Sequence, residues 1–311
     1  MYVLISDRDA GEYKKALAPI FPEIEFHTVT READIQDHVE KMDVLVTVYR
    51  VSDELLKQAV KLQWIQVMTA GVNYILDRPS LKKEVIVTSC RGIHGPQMSE
   101  MAVLLMLALN RDFPQIVRNQ DRRRWERWPG KLLFQKHVGI LGMGAIGEAI
   151  ANKCKCFGMT VSGIDIVERK IASVDAFYHP DKLPEVAGQV DYLILVAPST
   201  PETRKIVGSN VLSCMKPTAY LINIARGELV DEEALIRALE GGMIAGAALD
   251  TLPVEPLPAD NPLWRAKNII ITPHVGGMSD IYCEQTLPII EENLRRFIRG
   301  ERRNLINYIE R

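Results

Sequence analysis

The sequence predicts an α/β protein built on two doubly wound parallel sheets. Three observations carry that expectation. Short β-like runs alternate with helix-like segments, one long apolar helix pattern after Pro96 interrupts the alternation, and 311 residues at 47% apolar content suffice for two cores. In order, YVLIS, IEFHTV, VLVTV, WIQVM and VIVTS read as strands, with polar helical stretches such as SDELLKQAVK between them. Pro96 then suits a helix start, and QMSEMAVLLMLALNR is apolar nearly all round, which predicts a buried helix and places the domain boundary there. From residue 138 the alternation resumes with VGILG, VSGID, DYLILVAP, AYLINIA, AGAALD and IIITPH, six further strand candidates and therefore a second sheet. The tail SDIYCEQTLPIIEENLRRFIRG is helical in pattern, with Pro288 predicting a kink, and is placed back over the first domain.

Composition narrows the function classes. A formal charge of -2 and a pI near 6.3 call for neither nucleic acid nor an anionic membrane, so a small molecule is the expected partner. The five cysteines (90, 154, 156, 214, 283) lack CxxC spacing and clustered histidines, which predicts no disulfide framework, no metal site and a reducing cytoplasm. MYVLISDRD lacks the blocks of a signal peptide, and no long charge-free apolar stretch suggests a membrane span. RDFPQIVRNQDRRRWERWPG concentrates arginine and tryptophan, but Asp112, Asp121 and Glu126 interrupt it, so it reads as a solvated helix at a dimer contact. Cys154 and Cys156, two apart on a helix, point in different directions and form no ligand pair.

The first chemical signature is Gly142-Met-Gly144-Ala-Ile-Gly147, which follows the strand VGIL and opens the helix AIGEAIANKCKCF. In that context Gly142 makes a tight turn, Gly144 admits a pyrophosphate to the backbone, and Gly147 lets helix pack on strand, as in a Rossmann-type domain. Asp165 ends the next strand, where a carboxylate accepts hydrogen bonds from both ribose hydroxyls and repels a 2'-phosphate. NAD is therefore expected, with Arg169 and Lys170 near enough in sequence to keep NADP open.

The second signature is an ordered triplet. TAYLINIA runs into Arg226, MIAGAALD shortly precedes Glu255, and NIIITP runs into His274. Each run reads as a strand buried on both faces, and ligands of such sheets sit beyond the strands' carboxyl ends. Arg226 offers a planar fork for a carboxylate, and His274 can exchange a proton with a carbonyl oxygen. Glu255, if bonded to the ring, fixes its orientation and favours its protonated form. Beside a hydride donor this set suits reduction of a 2-keto acid. His94, in GIHGP, reads instead as a structural residue.

On these residues the chain resembles the D-isomer-specific 2-hydroxyacid dehydrogenases. The resemblance rests on AGV at 70–72, GILGMGAIGEAIA, VAPSTPETRKIV, LINIARGELVDEEAL, ALDTLPVEPLP and ITPHVGG, in the family's order and spacing. It implies Arg226 as the carboxylate-binding arginine, His274 as acid/base with Glu255 as its partner, and backbone groups of Gly71 and Val72 on the substrate carboxylate. It further implies Ala145 and Ile146 at the pyrophosphate, Asp165 at the ribose, Ala197, Pro198 and Thr203 lining the adenosine half, and Ile224, Ala225 and Asp250 toward the nicotinamide. It implies a Rossmann-type cofactor domain (97–279) inserted into a discontinuous, flavodoxin-like substrate domain (1–96 and 280–311), and homodimers joined through the cofactor domains. Tyr49 and Arg50, with Met278 and Tyr282 behind them, are candidates to meet the substrate's side chain. The substrates expected are glyoxylate, hydroxypyruvate or pyruvate, the rival reading being a dinucleotide-sensing, corepressor-like binding protein.

Overall fold

A computed structural model describes residues 1–311, the side chain of Asn73 excepted. The chain divides into two compact units, Met1–Ile93 with Ser279–Arg311, and His94–Met278.

The first unit begins with β1 (Tyr2–Ser6), α1 (Ala10–Leu17), β2 (Glu25–Val29), β3 (Val44–Thr47), α2 (Asp53–Gln58), β4 (Trp64–Val67), α3 (Asn73–Leu76) and β5 (Ile86–Ser89). All its strand pairs are parallel, in the order β2-β1-β3-β4-β5. Apolar side chains line both faces: Leu4, Leu45, Ile65 and Val87 on one, Val3, Val44, Trp64 and Met68 on the other. Burial of both faces is what an unbroken β-branched run predicts.

The second unit contains α4 (Gly95–Arg111), α5 (Phe113–Asp121), β6 (His137–Leu141), α6 (Ala145–Cys156), β7 (Thr160–Ile164), β8 (Ala176–Tyr178), α7 (Leu183–Gln189), β9 (Tyr192–Leu195), α8 (Ser209–Leu212), β10 (Tyr220–Asn223), α9 (Glu232–Glu240), β11 (Gly246–Leu249) and β12 (Ile269–Ile271). Its sheet is parallel with order β12-β11-β10-β9-β6-β7-β8. Strand order reverses at β6, between β9 and β7, which is where such sheets bind ligands.

Two expectations need correction here. The second sheet has seven strands rather than six, because the three-residue edge strand β8 carries no apolar run long enough to register. And α4 is not buried all round: Met98, Met101, Ala102, Leu105 and Met106 pack in the core with Ile150 and Cys154 of α6, whereas Leu104 is 58% exposed. Apolar composition does not reveal which face finds a cover.

The chain returns to the first unit as α10 (Tyr282–Ile298), continuous through Pro288. Phe297 stacks on Trp64 with centroids 5.2 Å apart, and Asn293 donates to Gln66 Oε1 at 2.9 Å. Beyond it Thr88 and Tyr308 form an antiparallel bridge, and Ile309 N–H donates to the Val87 carbonyl. The tail thereby covers the outer edge of β5, where unpaired backbone groups would otherwise invite aggregation.

Among the described residues no helix is long and apolar enough to cross a membrane, and no cluster of three His, Cys, Asp or Glu is arranged to hold a metal ion. Cys154 is buried and Cys156 exposed, the opposed orientations their spacing predicts.

Candidate active site

The glycine turn sits at the switch point of the seven-stranded sheet. Gly142, just past β6, has φ +101°, and a Cβ there would lie 2.6 Å from Ala197 N in the loop after β9. A Cβ on Gly147 would lie 2.1 Å from the Gly142 carbonyl oxygen, so α6 approaches β6 this closely only through glycine. Gly144 behaves oppositely: a Cβ there meets nothing within 4 Å, and Gly144 and Ala145 are exposed at the start of α6. Two glycines serve packing and the third leaves room at a helix N-terminus, the arrangement a dinucleotide pyrophosphate requires.

Asp165 follows β7. Its Oδ2 accepts from Met143 N–H at 2.7 Å and its Oδ1 from Ile166 N–H at 2.7 Å, which ties it to the glycine turn. Oδ1 also accepts from Val167 N–H at 3.4 Å, so it is chiefly Oδ2 that keeps acceptor capacity for a ribose hydroxyl. In the loop past β9, Thr203 Oγ1 donates to the Pro198 carbonyl at 2.7 Å and accepts from Thr200 N–H at 2.8 Å, folding segment 197–203 on itself; Ala197 is buried and Pro198 exposed. Ile224 and Ala225 are buried past β10, and Ile146 is half-buried on α6. The residues present thus fit a dinucleotide.

The triplet leaves three neighbouring strands at one edge. Asn223 of β10 pairs with Leu249 of β11, which pairs with Ile271 of β12, and Arg226, Glu255 and His274 follow those ends. His274 Nδ1 and Glu255 Oε2 are 2.8 Å apart. An ionised carboxylate only accepts, so Nδ1 carries the proton and Nε2 is left to exchange one. Glu255 Oε1 accepts from Leu252 N–H at 2.9 Å, holding the carboxylate to its own loop. His274 has φ +54°, a left-handed backbone that a bracket on each side supports. Asp250, 1% exposed, accepts from the Thr272 hydroxyl at 2.6 Å, Val275 N–H at 3.0 Å and Gly276 N–H at 2.9 Å.

Arg226 and the Glu255 loop are packed together through Gly227, where a Cβ would lie 2.0 Å from the Leu252 carbonyl carbon. The guanidinium's Nη1 donates to the Ala225 carbonyl at 2.6 Å. Its charge also reaches His94: burial first, and Arg226 second, hold that imidazole down to about 4. His94 is therefore neutral near pH 7.

The remaining candidates belong to the first unit, apart from Met278, which is 69% exposed in the second. Gly71 and Val72 lie between β4 and α3, the Gly71 carbonyl accepting from Thr69 Oγ1 at 2.9 Å. The Tyr49 hydroxyl donates to the Thr30 carbonyl at 2.6 Å, and burial raises its pKa; Arg50 is exposed. The Tyr282 hydroxyl donates to the Met68 carbonyl at 2.9 Å.

Sequence reasoning missed two residues that shape this edge, Asn223 and Thr272. The signal for Asn223 was available as the single polar residue inside AYLINIA. Thr272 left none, because its value lies in a hydrogen bond to Asp250 across two strands.

Known proteins resemble this chain in sequence and in fold. Residues 103–276 match the family model described as D-isomer specific 2-hydroxyacid dehydrogenase, NAD binding domain. A D-3-phosphoglycerate dehydrogenase of Methanocaldococcus jannaschii is 33% identical over 92% of this chain, which spans only 55% of that relative's length. A glyoxylate reductase of Pyrococcus furiosus is 34% identical over 85% of this chain and 82% of its own. The crystal structure of a D-isomer specific 2-hydroxyacid dehydrogenase family protein from Aeromonas salmonicida has a TM-score of 0.90 at 32% identity, covering 99% of this chain and 98% of that one. A dehydrogenase of the same description from Xanthobacter autotrophicus, solved with NADPH and MES, has a TM-score of 0.83 at 28% identity, covering 99% of this chain and 98% of its own. With the glycine cradle and the strand-end residues in place, these matches establish that the chain belongs to the D-isomer specific 2-hydroxyacid dehydrogenase family.

Proposed function

We propose that the protein is an NAD(H)-dependent reductase of small 2-keto acids, with glyoxylate, hydroxypyruvate and pyruvate as the substrate class. The observation that carries this reading is the 2.8 Å His274–Glu255 pair on the strand edge that also carries Arg226, in the unit that holds the glycine cradle. The reduced nicotinamide, when bound, supplies the hydride. Arg226 holds the substrate carboxylate through its planar fork and draws charge from the adjacent carbonyl. His274 gives the proton on Nε2 to the carbonyl oxygen, and takes one back from the alcohol in the oxidising direction. Glu255 fixes the ring's tautomer and faces the positive charge of the imidazolium. Asp165 selects the cofactor, accepting from ribose hydroxyls and repelling a 2'-phosphate.

In this reading Met1–Ile93 with Ser279–Arg311 is the substrate domain, with backbone groups of Gly71 and Val72 on the carboxylate and Tyr49 and Arg50 toward the variable end of the acid. The protein is proposed to act as a homodimer joined through its cofactor units. Support comes from apolar side chains left open on α4 and α5: Leu104 58%, Phe113 53%, Ile116 41% and Val117 43% exposed. The experiment is a panel of 2-keto acids, assayed with NADH and with NADPH. Turnover of glyoxylate or hydroxypyruvate with NADH preferred is expected. Tight NADH binding with no turnover of any acid would contradict an enzymatic role.

A further inference from the structure

We propose that Asn223 is a positioning residue for Arg226, fixing the backbone turn from which the guanidinium reaches the keto acid; the inference rests on Arg226 being the carboxylate-binding group. Asn223 ends β10 and is 0% exposed in an otherwise apolar run. A buried amide is costly unless both its ends are paired, so an aliphatic residue would be the easier choice there. Both ends are paired, and both on the turn that follows. Asn223 Oδ1 accepts from Ala225 N–H at 3.1 Å, and Nδ2 donates to the Arg226 carbonyl at 2.8 Å. These groups belong to the peptides on either side of the Ala225 carbonyl, the one on which Arg226 Nη1 rests at 2.6 Å. The side chain of Asn223 thus grips the platform that the guanidinium leans on.

The opposite face of the turn is closed by packing. Gly227 abuts Leu252, where a Cβ would lie 2.0 Å from the carbonyl carbon, and beside them only a cavity of about 10 Å³, lined by Asn223, Gly227, Thr251 and Leu252 among others, is left open. Asn223 and this packing together hold the turn from both sides. Without that grip, Ala225 N–H and the Arg226 carbonyl must find other partners, and the turn shifts to reach them. The guanidinium then samples several directions, which weakens binding of the acid more than it slows proton transfer at His274.

The test uses the full chain with Asn223→Asp, which keeps an acceptor for Ala225 N–H and loses the donor to the Arg226 carbonyl, and with Asn223→Ser, which shortens the reach. The expected result is a KM for the keto acid raised about tenfold, with kcat within about threefold and the Kd for NADH within about twofold. Inhibition by oxamate, a keto-acid mimic that is not reduced, should weaken in step with KM. An unmoved keto-acid KM in folded variants, or equal weakening of acid and NADH, would overturn the proposal. So would failure of both variants to fold, which would assign Asn223 to stability alone. A wild-type chain inert toward every acid defeats the functional reading and this inference together, whereas an active wild type with unmoved variants defeats only the inference.

Discussion

Two histidines lie in the same unit and are set to opposite tasks by their surroundings. His274 is 45% exposed at its side chain, faces a carboxylate and, in the proposed mechanism, keeps one nitrogen for proton exchange. His94 is 7% exposed and lies within the field of a guanidinium. Replacing His274 by Ala should lower kcat on the order of 10²–10⁴-fold, the usual reach of a general acid. Arg226→Ala should in addition raise the keto-acid KM by about tenfold to a hundredfold, because its bonds to the carboxylate are charge-assisted. Steady-state kinetics on both variants checks this, and equal small losses would count against the assigned roles. Asp165→Ala should narrow the ratio of kcat/KM for NADH over NADPH; an unchanged ratio would remove Asp165 from cofactor choice. For His94 the sign follows from linkage. The folded chain holds it near 4 while the unfolded chain binds the proton near 6.5. Stability is therefore complete above about pH 6.5 and declines as pH falls toward 4, by at most about 3 kcal/mol for this residue. Urea unfolding of wild type and His94→Gln at several pH values between these limits should show a flatter dependence in the variant.

Three neighbouring strands end in order, and each hands over to a loop with its own bracket: Asn223 for the Arg226 turn, Leu252 for Glu255, Asp250 for the His274 turn. Gly227 locks the first of these to the second. Gly227→Ala places a Cβ against the Leu252 backbone, which cannot yield as a flexible side chain would, so a loss of about 1–3 kcal/mol is expected by urea unfolding. Loss of keto-acid turnover should accompany it even where the variant remains folded. The strand runs and the glycine turn were legible in the sequence because burial on both faces and a phosphate-binding turn each leave a periodic or spaced mark. The triplet was legible as residues at strand ends, and its hydrogen bonds were not, since Asp250 to Thr272 and Asn223 to Arg226 are decided by register and by turn geometry. The edge strand β8 escaped notice for want of length, and the exposed side of α4 because composition cannot say what lies opposite a face.

Across the whole chain the two units repeat one physical plan, an all-parallel sheet, with strand orders β2-β1-β3-β4-β5 and β12-β11-β10-β9-β6-β7-β8. In the proposed homodimer the open apolar side chains of α4 and α5 are the contact, and the mass in solution tests it. Light scattering of purified protein should give twice the mass of one 35.0 kDa chain, and Ile116→Asp with Val117→Lys should shift it toward a single chain. A crystal structure of the protein with NADH and oxamate shows where a keto acid sits. The oxamate carboxylate is expected on the Arg226 guanidinium and its carbonyl oxygen about 3 Å from His274 Nε2; oxamate bound away from both residues, with NADH in place, would remove them from the site.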